Sequence, residues 1–152
     1  SFKDVNVREI CKMISRHGIN IISNYIVGFP EDTYETMTST LNLALELNTE
    51  MMNVYPCQAL PGSKLYVSAK MQNWDLPLSY EEFAFLSYEC KPLPTKYLTN
   101  KEVLRFRDYF WETYFRNPAF LDKVEAKFGI EQRKNVEEMS SHTLRRKILE
   151  NN

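Results

Sequence analysis

The residues best placed for chemistry form two short runs. Asn24, Ile26 and Gly28 alternate along an apolar stretch that ends in Gly28-Phe29-Pro30-Glu31-Asp32, and a second run reads Tyr55-Pro56-Cys57-Gln58. On a strand, Asn24, Ile26 and Gly28 share one parity and point to one face, while Ser23, Tyr25 and Val27 point to the other. A small polar residue, a branched apolar residue and a glycine in line suit a flat ring lying against the strand, with Gly28 letting the backbone approach closely. Glu31 and Asp32 bring acid to the place where the next helix begins, where a carboxylate also serves simply as a cap. The plain alternative is a strand, a glycine turn and a capped helix that hold no ligand.

Other reactive residue types are scattered. Cys11, Cys57 and Cys90 have no CxxC spacing, so they suggest neither a disulfide framework nor a zinc site. Cys11 shares a helical face with Val7, Ile10 and Ile14 and is expected to be buried; Cys57 follows a strand and is expected to be an inert thiol. A thiol redox protein would need the fold to bring two of them together. His17 and His142 lack the spacing of a metal site or triad, and no P-loop is present. Arg145-Arg146-Lys147 is diluted by Glu137, Glu138 and Glu150 and reads as a solvated helix face.

The elements that must position these residues alternate at first. Asn6 with Glu9 opens a helix that carries Val7, Ile10, Cys11 and Ile14 and stops at Gly18. A strand from Ile19 to Val27 is apolar on both faces, as a strand covered on both sides in a parallel sheet would be. Asp32 with Glu35 is expected to cap the next helix, whose inward stripe is Tyr34, Met37, Leu41, Ala44 and Leu45 and whose end is Asn48. A shorter strand, Met51 to Tyr55, breaks at Pro56, and a turn at Pro61-Gly62-Ser63 leads into a short helix over 64–71.

From Asn73 the texture changes to helices alone. Ser79 with Glu82 and Thr99 with Glu102 each form a capping box, separated by an extended Lys91-Pro92-Leu93-Pro94-Thr95 linker. Aromatics from Phe106 to Phe120 lie on more than one side of a helix, which places them between neighbouring helices. Pro118 opens another helix, Gly129 closes it, and a last one spans about Glu131 to Leu149. The fold expected is α/β: two closing βα units of a partial (β/α)6 TIM-like barrel over residues 1–75, then an all-α extension over 76–152.

Composition agrees with a globular protein of 152 residues, 43% hydrophobic and 26% charged. The net charge of -1 argues against a nucleic-acid binder, and no apolar run approaches the ~20 residues that span a bilayer. The expectation is a cytoplasmic protein. The chain opens at Ser1 without an initiator Met, which points to a piece of a longer protein.

The stretch Gly18 to Leu47, centred on Asn24-Tyr25-Ile26-Val27-Gly28-Phe29-Pro30-Glu31-Asp32-Thr33, resembles the fifth strand and following helix of radical S-adenosylmethionine (SAM) enzymes, with their GxIxGxxE or "GLPGET" turn. Asn53-Val54-Tyr55-Pro56 to Leu60-Pro61-Gly62-Ser63-Lys64-Leu65-Tyr66 is similar to the sixth strand and the "PGTxLY" segment after it. The tail, including Leu98 to Arg107 and Lys127-Phe128-Gly129, resembles the subgroup with an N-terminal cobalamin-binding domain. The resemblance implies a [4Fe-4S] cluster that reduces SAM to a 5′-deoxyadenosyl radical, leading to methyl transfer, cyclisation or rearrangement of a small-molecule substrate, with cobalamin as a possible further cofactor.

By position, Ile26 would pack on the adenine beside Gly28, and Tyr55 and Pro56 would offer main-chain contacts. Asn24 stands where the family has glycine. The family's acid is Glu31 on one count of the motif and Asp32 on the other. The cluster-binding CxxxCxxC has no counterpart here. The expectation is therefore a part that is inactive alone, completed by a preceding part of the same protein, and prone to self-associate. A non-catalytic α/β-helical interaction module is the alternative.

Overall fold

The computed structural model describes residues 5–150. Ser1, on which the expectation of a longer protein rests, lies outside the described residues. The first helix, α1 (Val7–Arg16), starts where Asn6 accepts the Glu9 N–H at 3.3 Å and stops at His17, with Gly18 following at φ +72°. None of its residues is buried. Cys11 is only half-buried, which corrects the expectation of a buried thiol. Helix α1 is held at its polar edge, where Arg8 pairs with Glu46, while Val7, Ile10 and Met13 remain exposed.

Strand β1 (Ile22–Val27) starts three residues later than expected. The Ile19 N–H still bonds back to the Ile14 carbonyl, and the Ile21 N–H is taken by the Glu50 carboxylate at 2.8 Å. Helix α2 (Tyr34–Leu47) is capped by Thr33, which exchanges reciprocal hydrogen bonds with Thr36, rather than by Asp32. Asn48 ends it in the left-handed conformation at φ +41°. Of the expected inward stripe, Met37, Leu41 and Ala44 are buried and Leu45 packs beside them, but Tyr34 is exposed. Strand β2 (Met51–Pro56) then pairs parallel with β1, Ile22 opposite Met51 through to Val27 opposite Pro56.

The rest is helical: α3 (Lys64–Met71), α4 (Tyr80–Phe83), α5 (Asn100–Phe115), α6 (Pro118–Phe128), α7 (Ile130–Ser141) and α8 (Lys147–Glu150). The expected class holds, with two parallel strands and their helices followed by a helical extension. Thr99 and Glu102 form the reciprocal cap of α5. Ser79 makes no such bond, because Glu82 reaches past it to the Leu78 N–H. The expected last helix is broken at His142, and residues 142–146 run outside any helix before α8.

One face of the sheet is packed. Val27, Met52 and Val54 meet Met37 and Leu41 of α2 and the aromatic side of α5 in a single core. Tyr25 stacks on Phe110 with centroids 5.6 Å apart, and Tyr114 and Phe120 lie 4.9 Å apart. The aromatic run thus lies between elements, as expected. Residues from both halves of the chain contribute to this core. Among the described residues no helix is long and apolar enough to cross a membrane.

Candidate functional site

The other face of the sheet is open. Side chains alternate along a strand, so Ile22, Asn24 and Ile26 of β1 stand beside Met51, Asn53 and Tyr55 of β2. Ile22 is 61% exposed and Ile26 47%, which corrects the expectation of a strand covered on both sides. Of the expected site residues, Asn24, Ile26 and Tyr55 are therefore neighbours on one face. Asn53, which sequence reasoning passed over, donates from Nδ2 to Asn24 Oδ1 at 3.1 Å. The pair leaves one donor group and one acceptor open toward solvent. Its sequence signals were shared parity with Tyr55 and its place at the start of the Asn53-Val54-Tyr55-Pro56 run.

Gly28 and the acids sit at the carboxyl end of β1. Gly28 has φ +85°, and a Cβ there would lie 2.4 Å from Val103 Cγ1 of α5. The room that glycine leaves on that side is filled by the helix. Asp32 Oδ2 accepts the N–H groups of Gly28 (2.9 Å) and Phe29 (2.8 Å), and its Oδ1 accepts the Thr36 hydroxyl at 2.8 Å. Asp32 therefore holds the turn. Glu31 points outward and pairs with Lys96. Pro56 faces the packed side and is buried, away from Ile26 and Tyr55.

Burial pushes the Cys57 thiol up to about 11, and the nearby Asp32 charge adds to the effect. Burial does the same to Cys90, also to about 11, against Arg146, which lowers it. Both are protonated at neutral pH and neither is an activated nucleophile. All three cysteines are free thiols. Among the described residues no three of His, Cys, Asp and Glu are placed to hold a metal ion.

The two edges of the sheet differ. Arg107 reaches from α5 and donates Nε to the outward Val54 carbonyl at 3.0 Å, and Leu93 N–H donates to the Cys57 carbonyl at 3.1 Å. On the outer edge of β2, α5 thus holds the Val54 carbonyl, and the extended linker ties to the residue that follows the strand. On β1, the register turns the backbone groups of Ile22, Asn24 and Ile26 away from β2. Among the described residues nothing bonds to them.

The least anticipated residue is Arg146. Expected on a solvated helix face, it has a side chain only 1% exposed and forks onto Asp108. Its neighbours Arg145 and Lys147 are solvated, as the charge pattern suggested. Local charge density carries no sign of which of three adjacent cations turns inward.

The chain is 20% identical over 115 residues to an uncharacterized methyltransferase of Pyrococcus horikoshii. That match takes in 76% of this chain and 24% of that protein, so the chain spans about a quarter of the length of the curated relative it matches. No family model matches, and no solved structure matches.

Proposed function

We propose that this chain is the closing part of a SAM-dependent enzyme of the radical SAM type, acting in methyl transfer, and that the open sheet face is its adenosyl-binding wall. The observation that carries this is the juxtaposition of exposed Ile26 with Tyr55, which Phe85 meets edge-on, on the unpacked face of the sheet, with a polar Asn24–Asn53 pair beside them. An apolar shelf with an adjacent donor and acceptor fits a planar ring with a polar edge. The similarity to a protein named as a methyltransferase favours methyl transfer over cyclisation or rearrangement. The free β1 edge adds support, since its unpaired backbone groups invite another strand.

Bound SAM would supply the methyl or 5′-deoxyadenosyl group. The chain's own part is to bind and orient: Ile26 supports the ring from below, Tyr55 borders it, and the open donor and acceptor of Asn24 and Asn53 meet its polar edge. Asp32 contributes indirectly, because its three hydrogen bonds fix the turn above Ile26. Pro56 has no N–H to offer, so main-chain contact from that strand end would fall to its neighbours. The thiols present do not fit an iron–sulfur cluster: two are buried and protonated, and none belongs to a candidate ligand group among the described residues. Cluster ligands, and any cobalamin, belong in this reading to a preceding part of the protein.

The test is to read the gene upstream of Ser1 for CxxxCxxC and to assay the whole protein anaerobically with SAM and a reductant. The expected products are methylated substrate and 5′-deoxyadenosine, and Ile26→Lys should abolish adenosyl-ligand binding while leaving the melting temperature unchanged. An upstream region without the triad, and no 5′-deoxyadenosine, would refute the radical part of the proposal. Intact ligand binding by Ile26→Lys would refute the assignment of the site.

A further inference from the structure

Arg146 is anchored at four points. Its Nε and Nη2 bond Asp108 Oδ2 and Oδ1 at 3.0 and 2.8 Å, and its Nη1 donates to the carbonyls of Phe85 and Ser87, both at 2.9 Å. Asp108 also accepts from Arg107 at 2.8 Å, and Arg107 holds the Val54 carbonyl of β2. The Phe85 ring, whose own carbonyl Arg146 grips, meets Tyr55 edge-on at 4.7 Å and lies 5.8 Å from the Arg107 guanidinium. One side chain near the end of the chain thereby touches, through two intermediaries, both the backbone of β2 and a ring of the candidate site.

Its neighbours hold the same segment weakly. Lys147 N–H bonds the Tyr88 carbonyl at 2.9 Å, the exposed Tyr88 hydroxyl donates to Glu150 at 2.8 Å with the Arg145 guanidinium 5.6 Å from its ring, and Lys147–Glu89 and Arg145–Glu150 are ion pairs open to solvent, of a kind that contributes little. Helix α8 has no buried residue. A segment with one deep anchor and shallow surroundings opens and closes as a unit.

We propose that residues 142–150 are a latch on the candidate site, with Arg146 as its positioning residue: docked, it sets Phe85 against Tyr55, and undocked, it frees both rings. The functional meaning of the latch rests on the reading of Tyr55 given above; its mechanics do not. A planar fork is required, since an ammonium cannot serve two carboxylate oxygens and two carbonyls at once.

Two native thiols report on it. Cys90 is fully buried and its N–H bonds the same Ser87 carbonyl that Arg146 holds. Cys57 is buried in a separate cluster with Ala59, Ala69 and Leu93 and serves as the internal reference. The rate of disulfide exchange with an aromatic disulfide reagent is followed for each of these two thiols by mass spectrometry of the labelled Cys57 and Cys90 peptides, with and without low urea. Cys90 should react at least about ten-fold faster than Cys57 and with a weaker urea dependence, because local opening precedes global unfolding.

Arg146→Lys should accelerate Cys90 by a further order of magnitude and leave Cys57 unchanged, and Tyr55 should lose the ring-current shift from Phe85. Arg145→Ala should alter neither thiol. If Cys57 and Cys90 react together, with one urea dependence, in both the parent and Arg146→Lys, the segment opens only with the whole fold and the latch is refuted. That outcome is independent of ligand binding: an adenosyl ligand that leaves Tyr55 unperturbed would defeat the site while leaving the thiol rates as stated.

Discussion

Gly28 is glycine for two separate reasons, its φ of +85° and the 2.4 Å that a Cβ would leave to Val103 Cγ1. Val103 is β-branched and helical, so it has little freedom to turn aside. Gly28→Ala should therefore destabilise by about 2–4 kcal/mol, combining roughly 1 kcal/mol of backbone strain with overpacking. Gly18→Ala, at φ +72° with nothing within 4 Å, should lose only the strain, about 1 kcal/mol. Denaturant unfolding of both, and of Gly28→Ala with Val103→Ala, would separate the terms, since the second change should restore part of the loss. Glu50 makes a pH argument. Burial alone would raise its pKa, but the Ile21 N–H and the ammonium groups of Lys127 and Lys123 outweigh it and bring it from 4.5 to about 2. A lowered carboxylate pKa stabilises the fold above the unfolded value and loses that contribution as pH falls through the folded one. Stability should therefore drop by on the order of 3 kcal/mol between pH 4.5 and 2 from this group. Glu50→Gln should be less stable at pH 7 and show a flatter acid limb in urea titrations across that window.

The capping boxes test how far local rules carry at the level of elements. Thr99→Ala should cost about 1 kcal/mol, because its side chain accepts the Glu102 N–H, whereas Ser79→Ala should be close to neutral. Thermal melts of the two variants would show this contrast. The same comparison explains what could be read in advance. The order strand, helix, strand, then helices was legible because periodicity and Pro/Gly punctuation are local. So were the ends at Asn48 and Gly129, where left-handed or turn geometry has few tolerant residues. What misled was anything settled by distant partners. Asp32 looks like a helix cap until the turn's own N–H groups compete for it. Residues 142–146 look helical until Asp108, 38 positions earlier, draws Arg146 inward. Of the expected residues, Asn24 and Ile26 were read from parity and Tyr55 from its place at the end of the second strand, but Asn53 needed the register between strands, and Phe85 needed the tertiary contact.

For the molecule as a whole, the free β1 edge matters most. Strand β1 carries no charge and no proline, the usual defences of an exposed edge. The chain by itself should therefore associate with rising concentration, and Asn24→Lys, which puts a charge at the centre of β1, should return it to monomer in sedimentation velocity. A chain that stays monomeric at high concentration would contradict this. Domains that sit on one side of a sheet also carry a history of their synthesis. The helix that packs on the sheet is made after it: Arg107 follows Val54 of β2 by 53 residues, and Tyr114 follows its partner Thr49, just before β2, by 65. On the ribosome the strands emerge with only α2 available to cover them, and wait for α5 while α3, α4 and the linker are translated. Such distant closures are slow, and the waiting surface is the kind that chaperones recognise. A ribosome pausing before the Arg107 codon would hold the chain with that surface still waiting for α5.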